Sequence, residues 1–268
     1  MLKAGSWFRK RWSLIAAACL IVTTCVLALQ VPTEFQEDPE PPPADGFEKT
    51  EWAFARLRYP EANNGYRRPF YSWSIDSSKA DRLLSQALRR LSRVHVRSME
   101  EVVDLDSDEI YNWPWIYAVE AGHWQLTDDE ASRLRKYLLR GGFLMVDDFH
   151  GTREWAVFMA SMSRVFPDRL VADIPGDDPI FHVVYDLKDR FQVPGAQYLQ
   201  TGRRFEQDGF NAEWKGIYDD HGRLMVAICH NMDLGDAWEW ADSPIYPEQW
   251  ASMAIRIGVN YVTYAMTH

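Results

Sequence analysis

Hydrophobic positions along this chain recur in two rhythms, one helical and one extended. Behind Ser78, a residue type that caps helix starts, Leu83, Leu84, Ala87, Leu88 and Leu91 lie on one helical face. Thr127 and Glu130 form the signature of a capping box, in which each side chain satisfies a free backbone N–H of the first turn. Ala131, Leu134, Tyr137 and Leu138 then supply an inner face, and Gly141 suits the C-terminal cap. Thr152 opens a further helix that turns Ala156, Met159, Met162 and Phe166 inward and stops at Pro167. Pro247 suits the start of the last helix, with Trp250, Ala254, Ile257, Tyr261 and Ala265 on its face. Between the helices lie short apolar runs at 52–59, 94–97, 115–119 and 143–146. Two more, 215–218 and 223–229, flank the polar turn Asp219-Asp220-His221-Gly222 and predict a β-hairpin. Residues 167–215 are rich in Pro, Gly and Asp, with short strand-like pieces at 170–174 and 180–185. So long an irregular segment reads as a functional or lid-like insertion. Strands alternating with helices predict a single α/β domain over 51–268 with a mostly parallel sheet.

The first 31 residues have a different pattern. Arg9-Lys10-Arg11 precedes an apolar run from Leu14 to Leu29, and acids follow at Glu34, Glu37, Asp38 and Glu40. Basic residues before the run and none just after it predict a cytoplasmic N-terminus and an exported body. The run is short for a bilayer span and long for a signal sequence. It reads as an uncleaved anchor, with cleavage after Val26-Leu27-Ala28 as the alternative. Membrane contact is thus expected through residues 14–31. The expected location is the bacterial cytoplasmic membrane, single-pass, with the body on the periplasmic side. Residues 32–50 are Pro- and acid-rich and read as an extended linker.

Net charge narrows the partners. The whole chain carries −10, and residues 1–30 contribute four basic groups and no acid, so the body is more acidic still. That charge argues against nucleic acid, which is bound through cationic groups on phosphates. Cys19 and Cys25 fall in the apolar run, leaving Cys229 alone in the body. One cysteine makes no internal disulfide and excludes Cys-rich zinc sites. Its apolar strand marks Cys229 as a core thiol.

Candidate chemistry collects where apolar strands end. One ends in Glu120-Ala-Gly-His123, a second in Asp147-Asp148-Phe-His150 and a third in His230-Asn231-Met-Asp233, and the irregular segment adds Asp177, Asp178 and His182. Open α/β sheets bind ligands at the carboxyl ends of their strands. If the three strands are parallel neighbours, Glu120, His123, Asp147, Asp148, His150, His182, Asn231 and Asp233 would line one crevice. Asp147, Asp148 and His150 are the candidate catalytic groups. The residues name no cofactor; a divalent metal is an open option, with none favoured. If a divalent metal is bound, His123, His150 and Asp148 are its candidate ligands. The structural alternative is that Asp148 or His150 caps the helix near Thr152. Core and interface packing takes most tryptophans; the alternative for Trp124, Trp238 and Trp240, which adjoin the strand ends, is stacking on sugar rings. No Gly-x-Ser/Cys-x-Gly elbow, phosphate loop or dinucleotide fingerprint occurs.

Several segments resemble the bacterial family called "domain of unknown function 4159". They are 54–59, 134–138 with 141–144, Asp147-Asp148, 178–182, 220–223 and 258–261, in that order. The resemblance implies a flavodoxin-like fold of the class I glutamine amidotransferase type, similar to trehalose-utilisation proteins. It also implies an envelope setting, near MoxR-type ATPases and von Willebrand A-domain proteins. No catalytic residue transfers by it. The elbow cysteine of amidotransferases is missing, with Asp148 or His150 near its place. The leading expectation is therefore an anchored domain that binds a polar ligand or protein partner without amidotransferase activity. The alternatives are a metal-dependent hydrolase acting on an envelope glycan and a structural scaffold in a membrane complex.

Overall fold

The computed structural model describes residues 43–62 and 71–268. The expected membrane segment 14–31 and the linker up to residue 42 lie outside the described residues. Among the described residues, no helix is long and apolar enough to cross a membrane.

In chain order the elements are β1 (Ala55–Arg58), α1 (Lys79–Leu91), β2 (Glu101–Asp104), β3 (Trp115–Val119), α2 (Asp128–Leu139), β4 (Phe143–Asp147), α3 (Gly151–Val165) and β5 (Ala172–Asp173). There follow α4 (Gln197–Thr201), β6 (Glu213–Tyr218), β7 (Leu224–His230), α5 (Leu234–Glu239) and α6 (Glu248–Thr267). All strands join one sheet in the order β2-β1-β3-β4-β7-β6-β5. The strands β2, β1, β3, β4 and β7 run parallel; at one edge β6 runs antiparallel to β7, and β5 antiparallel to β6. The chain leaves β1 toward β2 on one side and returns to β3 on the other. Strand order therefore reverses between β1 and β3, the place where open sheets form a ligand crevice.

Alternation along the strands divides the core. In β3, Trp115, Tyr117 and Val119 face a layer holding Leu84 and Leu88 of α1, Trp238 of α5 and Trp250 of α6. Ile116 and Ala118 face Leu134 and Leu138 of α2 and Phe158 and Met162 of α3. Both faces of β3, β4 and β7 are covered, so these strands read as continuous apolar runs. Each large side chain buried there contributes about 1.5–3 kcal/mol. The capping box at α2 forms as its sequence dictates: Thr127 Oγ1 accepts from Glu130 N–H at 3.2 Å, and Glu130 Oε2 accepts from Thr127 N–H at 2.7 Å. The hairpin turn closes on Asp219, whose Oδ1 accepts from the N–H groups of His221 and Arg223. Gly222 sits at φ 80°, a conformation that favours glycine.

Three expectations are corrected. Residues 94–97 make only a single bridge, Val96 to Trp52, and the strand beside β1 is Glu101–Asp104 instead. Its acidic ends suit an edge position and disguise it as a loop. The segment at 180–185 is not extended; a 3₁₀ turn occupies Pro179–Phe181, started by Asp178 Oδ1 accepting from Ile180 N–H. The expected face of α3 fails at one position: Ala156 is exposed, whereas Met162 and Phe166 are buried and Met159 packs against the same layer, joined there by Phe158, Ser161 and Val165. Ser161 belongs inside because its hydroxyl accepts from Leu126 N–H.

Candidate functional site

The three strand ends lie side by side, because β4 pairs with β3 on one flank and β7 on the other. Each strand is followed at once by a polar residue in the left-handed region: Glu120 at φ 46°, Asp148 at φ 50° and Asn231 at φ 64°. That conformation costs a non-glycine residue about 1–2 kcal/mol. Neighbouring groups hold it in place. Glu120 N–H donates to Asp147 O, and Asn231 N–H donates to Phe149 O. Asn231 Oδ1 accepts from Gly151 N–H at 2.8 Å, and its amide donates to Asn211 O.

Asp147 is fully buried beneath this row. Its Oδ2 accepts from the N–H groups of Leu234 and Gly235 at 2.8 and 3.0 Å and from Tyr117 Oη–H at 3.0 Å. It thereby ties β4 to the start of α5. Its Oδ1 has no hydrogen-bond partner. Burial pushes the Asp147 carboxyl up to about 7, against the pull of those three donors. Asp148 lies at the mouth, its Oδ1 3.1 Å from His150 Nε2. Burial lifts its carboxyl well above the ordinary range, helped by the charges of Glu120, Glu206, Asp147 and Asp236. Asp233 caps α5 through Oδ1, which accepts from Asp236 N–H at 2.7 Å. Burial raises its carboxyl too, followed by the charges of Asp148, Asp236 and Asp76.

Asp76 and Asp236 complete the cluster, and neither stood out in the sequence. One carboxylate oxygen from each of Asp76, Asp233 and Asp236 lies within 4.8 Å of the others. Asp76 comes from the loop before α1, itself at φ 60°. Its carboxyl is also raised, by burial first and then by Asp236 and Asp148, with Arg56 opposing. The signal for Asp236 was the spacing Asp233-Leu-Gly-Asp236, which returns a second carboxylate to the same side of a helix start. Asp76 carried no local signal: it reaches the site only because β1 and β3 are neighbours.

The histidines divide. His123 Nε2 lies 3.5 Å from Glu154 Oε1. Burial would lift the Glu154 carboxyl, but His123, the N–H of His150 and the Gln207 amide together hold it low. Nδ1 of the buried His150 has no hydrogen-bond partner. His182 is not brought to the crevice. Its ring contacts Gly176 O at 2.9 Å and Asp186 at 3.2 Å. The turn before it is tied to Tyr218 by Asp178 and to α6 by Asn260, and Tyr218 faces Leu224, the opposite end of β7. Among the described residues, no group of three possible metal ligands within reach of one another contains an imidazole. The candidate metal ligands His123, His150 and Asp148 are therefore not brought together as a set.

Neither Asp148 nor His150 caps α3 with its side chain. The N–H groups of its first turn are met from elsewhere in the chain, Gly151 by Asn231 and Thr152 by Asp208. Trp124 and Trp238 are core residues, at 1% and 0% exposure, so neither offers a face to a sugar. Trp124 stacks on Phe158, and Trp238 packs against Phe54 and Tyr117. Trp240 is half-buried against the layer that holds Trp238. Cys229 is fully buried in β7, and burial pushes its thiol up.

The late part of the insertion roofs the cluster. Val193 O accepts from Asp233 N–H, and the Gln192 amide donates to Asn231 O at 2.7 Å. Ala196 N–H donates to Asp236 Oδ2 at 2.6 Å, and Asp208 and Gln207 reach Thr152 and Glu154 of α3. Next to this roofed crevice, and among the described residues, an open cleft of about 530 Å³ lies at the ends of β1 and β2. Arg58, Tyr59, Glu61, Trp73 and Asp104 line it. Tyr59 connects the two, its hydroxyl donating to Val119 O and Glu120 O.

Fold and site together define a mixed α/β protein with an acidic crevice at the carboxyl ends of its central parallel strands. The chain belongs to the family described as Domain of unknown function (DUF4159), whose match spans residues 53–266. No curated protein matches it.

Proposed function

We propose that the body is an exported domain, tethered through residues 14–31, that binds a polar, positively charged ligand in the strand-end crevice. The observation that carries this reading is the row of Glu120, Asp148 and Asn231. Three adjacent strands each hold a polar residue in a costly conformation at the place where open sheets take ligands. The sign of the ligand follows from the acids around Asp148, whose charges all oppose its ionisation. The strand order supports the flavodoxin-like, amidotransferase-like placement: taken alone, the five parallel strands run second, first, third, fourth, fifth. By the family resemblance, Asp148 or His150 at the turn after β4 lies near the place of the amidotransferase thiol, and the body's cysteine is sealed in β7. Thiol-based glutamine hydrolysis therefore has no nucleophile at this turn. The basic residues before the apolar run, and the envelope setting implied by family resemblance, support export.

The test uses the full chain in detergent, with spermidine as a slim polycationic probe in low-salt titration calorimetry. Saturable binding is expected, weakened at least fivefold by Asp148→Asn and by Glu120→Gln and unchanged by Asp108→Asn at an exposed turn. Absence of saturable binding at millimolar spermidine, or equal affinity in all variants, would contradict the reading.

A further inference from the structure

We infer that Asp76, Asp233 and Asp236 hold one hard divalent cation of the magnesium, manganese or calcium class. This deepens the reading above and rests on it: the positively charged ligand, or part of it, is a metal ion. The three carboxylates arrive from separate places, the loop before α1, the cap of α5 and its first turn. Their oxygens lie within 4.8 Å of one another. Cation–oxygen bonds of about 2.0–2.6 Å from a central ion span that spread. An all-oxygen donor set selects a hard cation over zinc or copper, which favour imidazole or thiolate.

A second observation points to a ligand independently of the cluster. Asp76 Oδ2 is sealed from solvent and has no hydrogen-bond partner, and the same is true of Oδ1 of the fully buried Asp147 beside it. A buried acceptor left in this state costs about 1–3 kcal/mol. Arg56, the cation that acts on Asp76, does not answer it. Its guanidinium donates to Asp81 and to the carbonyl oxygens of Trp73 and Ile75. Asp233 and Asp236 each accept one backbone N–H, from Asp236 and Ala196, and so remain able to give an oxygen to a cation. Backbone closes around the triad. A side chain at Gly195 would run into Asp233 and Asp236, and one at Gly235 would run into Asp76. The rival occupant is the proton, since carboxylates this close cannot all ionise without compensation.

The experiment titrates MnCl2 into the full chain in detergent at pH 7.5, reading free Mn²⁺ by electron paramagnetic resonance, with competition by MgCl2 and CaCl2. The expected result is one Mn²⁺ per chain. Asp76→Asn and Asp236→Asn should each weaken binding at least tenfold, while Glu213→Gln, beside His230, leaves it unchanged. Asparagine keeps the size of both side chains, and Asp76 Oδ2 has no bond to lose; circular dichroism confirms that each variant is folded. No uptake of any of the three ions at millimolar concentration, or uptake indifferent to both substitutions, would overturn the inference. Spermidine binding separates the two failures. If it persists without metal uptake, the metal inference alone falls. If both are absent, the reading of the crevice falls with it.

Discussion

Arg56→Met is expected to lower the unfolding free energy by about 3–5 kcal/mol, the usual cost of removing one partner from a buried ion pair. Arg56 lies in β1 at 1% exposure, and Asp81 of α1 is fully buried. The guanidinium binds both Asp81 oxygens, with Nε 3.0 Å from Oδ2. Its Nη1 also donates to Ile75 O at 2.8 Å and to Trp73 O at 3.2 Å. Methionine fills much of the volume but leaves a carboxylate in the core and two carbonyl groups without donors. The double variant Arg56→Met/Asp81→Leu removes the stranded charge and should recover more than half of the loss. Urea unfolding measures both differences, with an unchanged slope showing that the unfolding reaction is the same. A loss below about 1 kcal/mol in the single variant would mean that Asp81 finds another partner. The pair also bears on the site, because Arg56 fixes the loop from Trp73 to Ile75, and Asp76 follows directly.

Asp147→Ala should cost about 3–4 kcal/mol, for a different reason. It strands three donors at once, the N–H groups of Leu234 and Gly235 and the hydroxyl of Tyr117, in a region without water access. Asp147→Asn keeps an oxygen in the same place and should cost less than about half as much. A similar loss in both variants would shift the role of Asp147 from accepting hydrogen bonds to carrying charge. Amide exchange at Leu234 and Gly235 gives a local readout: it should accelerate in the alanine variant and stay slow in the asparagine variant.

How much of this was legible from sequence depended on whether the deciding interaction was local. The capping box at Thr127 and Glu130 is satisfied within one turn, and the β4 run Phe143–Val146 is apolar because both of its faces are covered. Both could be read directly. The edge strand β2 could not, since Val102 and its acidic neighbours face solvent and resemble a loop. On α3 the inward place of Ser161 could not be read, because it rests on a bond to Leu126, 35 residues away in sequence. The six-residue α5 is too short to show a period and is anchored from β4 by Asp147.

The strand ends were legible because parallel neighbours bring their carboxyl ends together by geometry alone. That argument collected Glu120, His123, Asp147, Asp148, His150, Asn231 and Asp233. It misplaced His182, whose loop is bound by Asn260 and Asp178 to the other end of the sheet. It missed Asp76, which is brought to Asp233 and Asp236 only by tertiary structure. It left the two buried tryptophans between core packing and sugar stacking, because an indole beside a polar strand end looks the same in sequence whether it faces the crevice or the core.

The crevice crowds more carboxyl groups together than the cations of the polypeptide compensate. The most direct measurement is the unfolding free energy of Asp148→Asn minus that of the unsubstituted chain, followed from pH 5 to pH 8 in EDTA. The Asp148 carboxyl is raised in the folded state, so the fold binds its proton more tightly than the unfolded chain does. Its contribution is present below the unfolded carboxylate range and is lost as pH rises through the folded value. Asparagine carries no proton to lose. The account predicts that the variant gains steadily on the unsubstituted chain as pH rises, with each unit of raised pKa adding about 1.4 kcal/mol to the difference once the pH has passed the folded value. A difference that stays flat across the range, or that shrinks as pH rises, would contradict it.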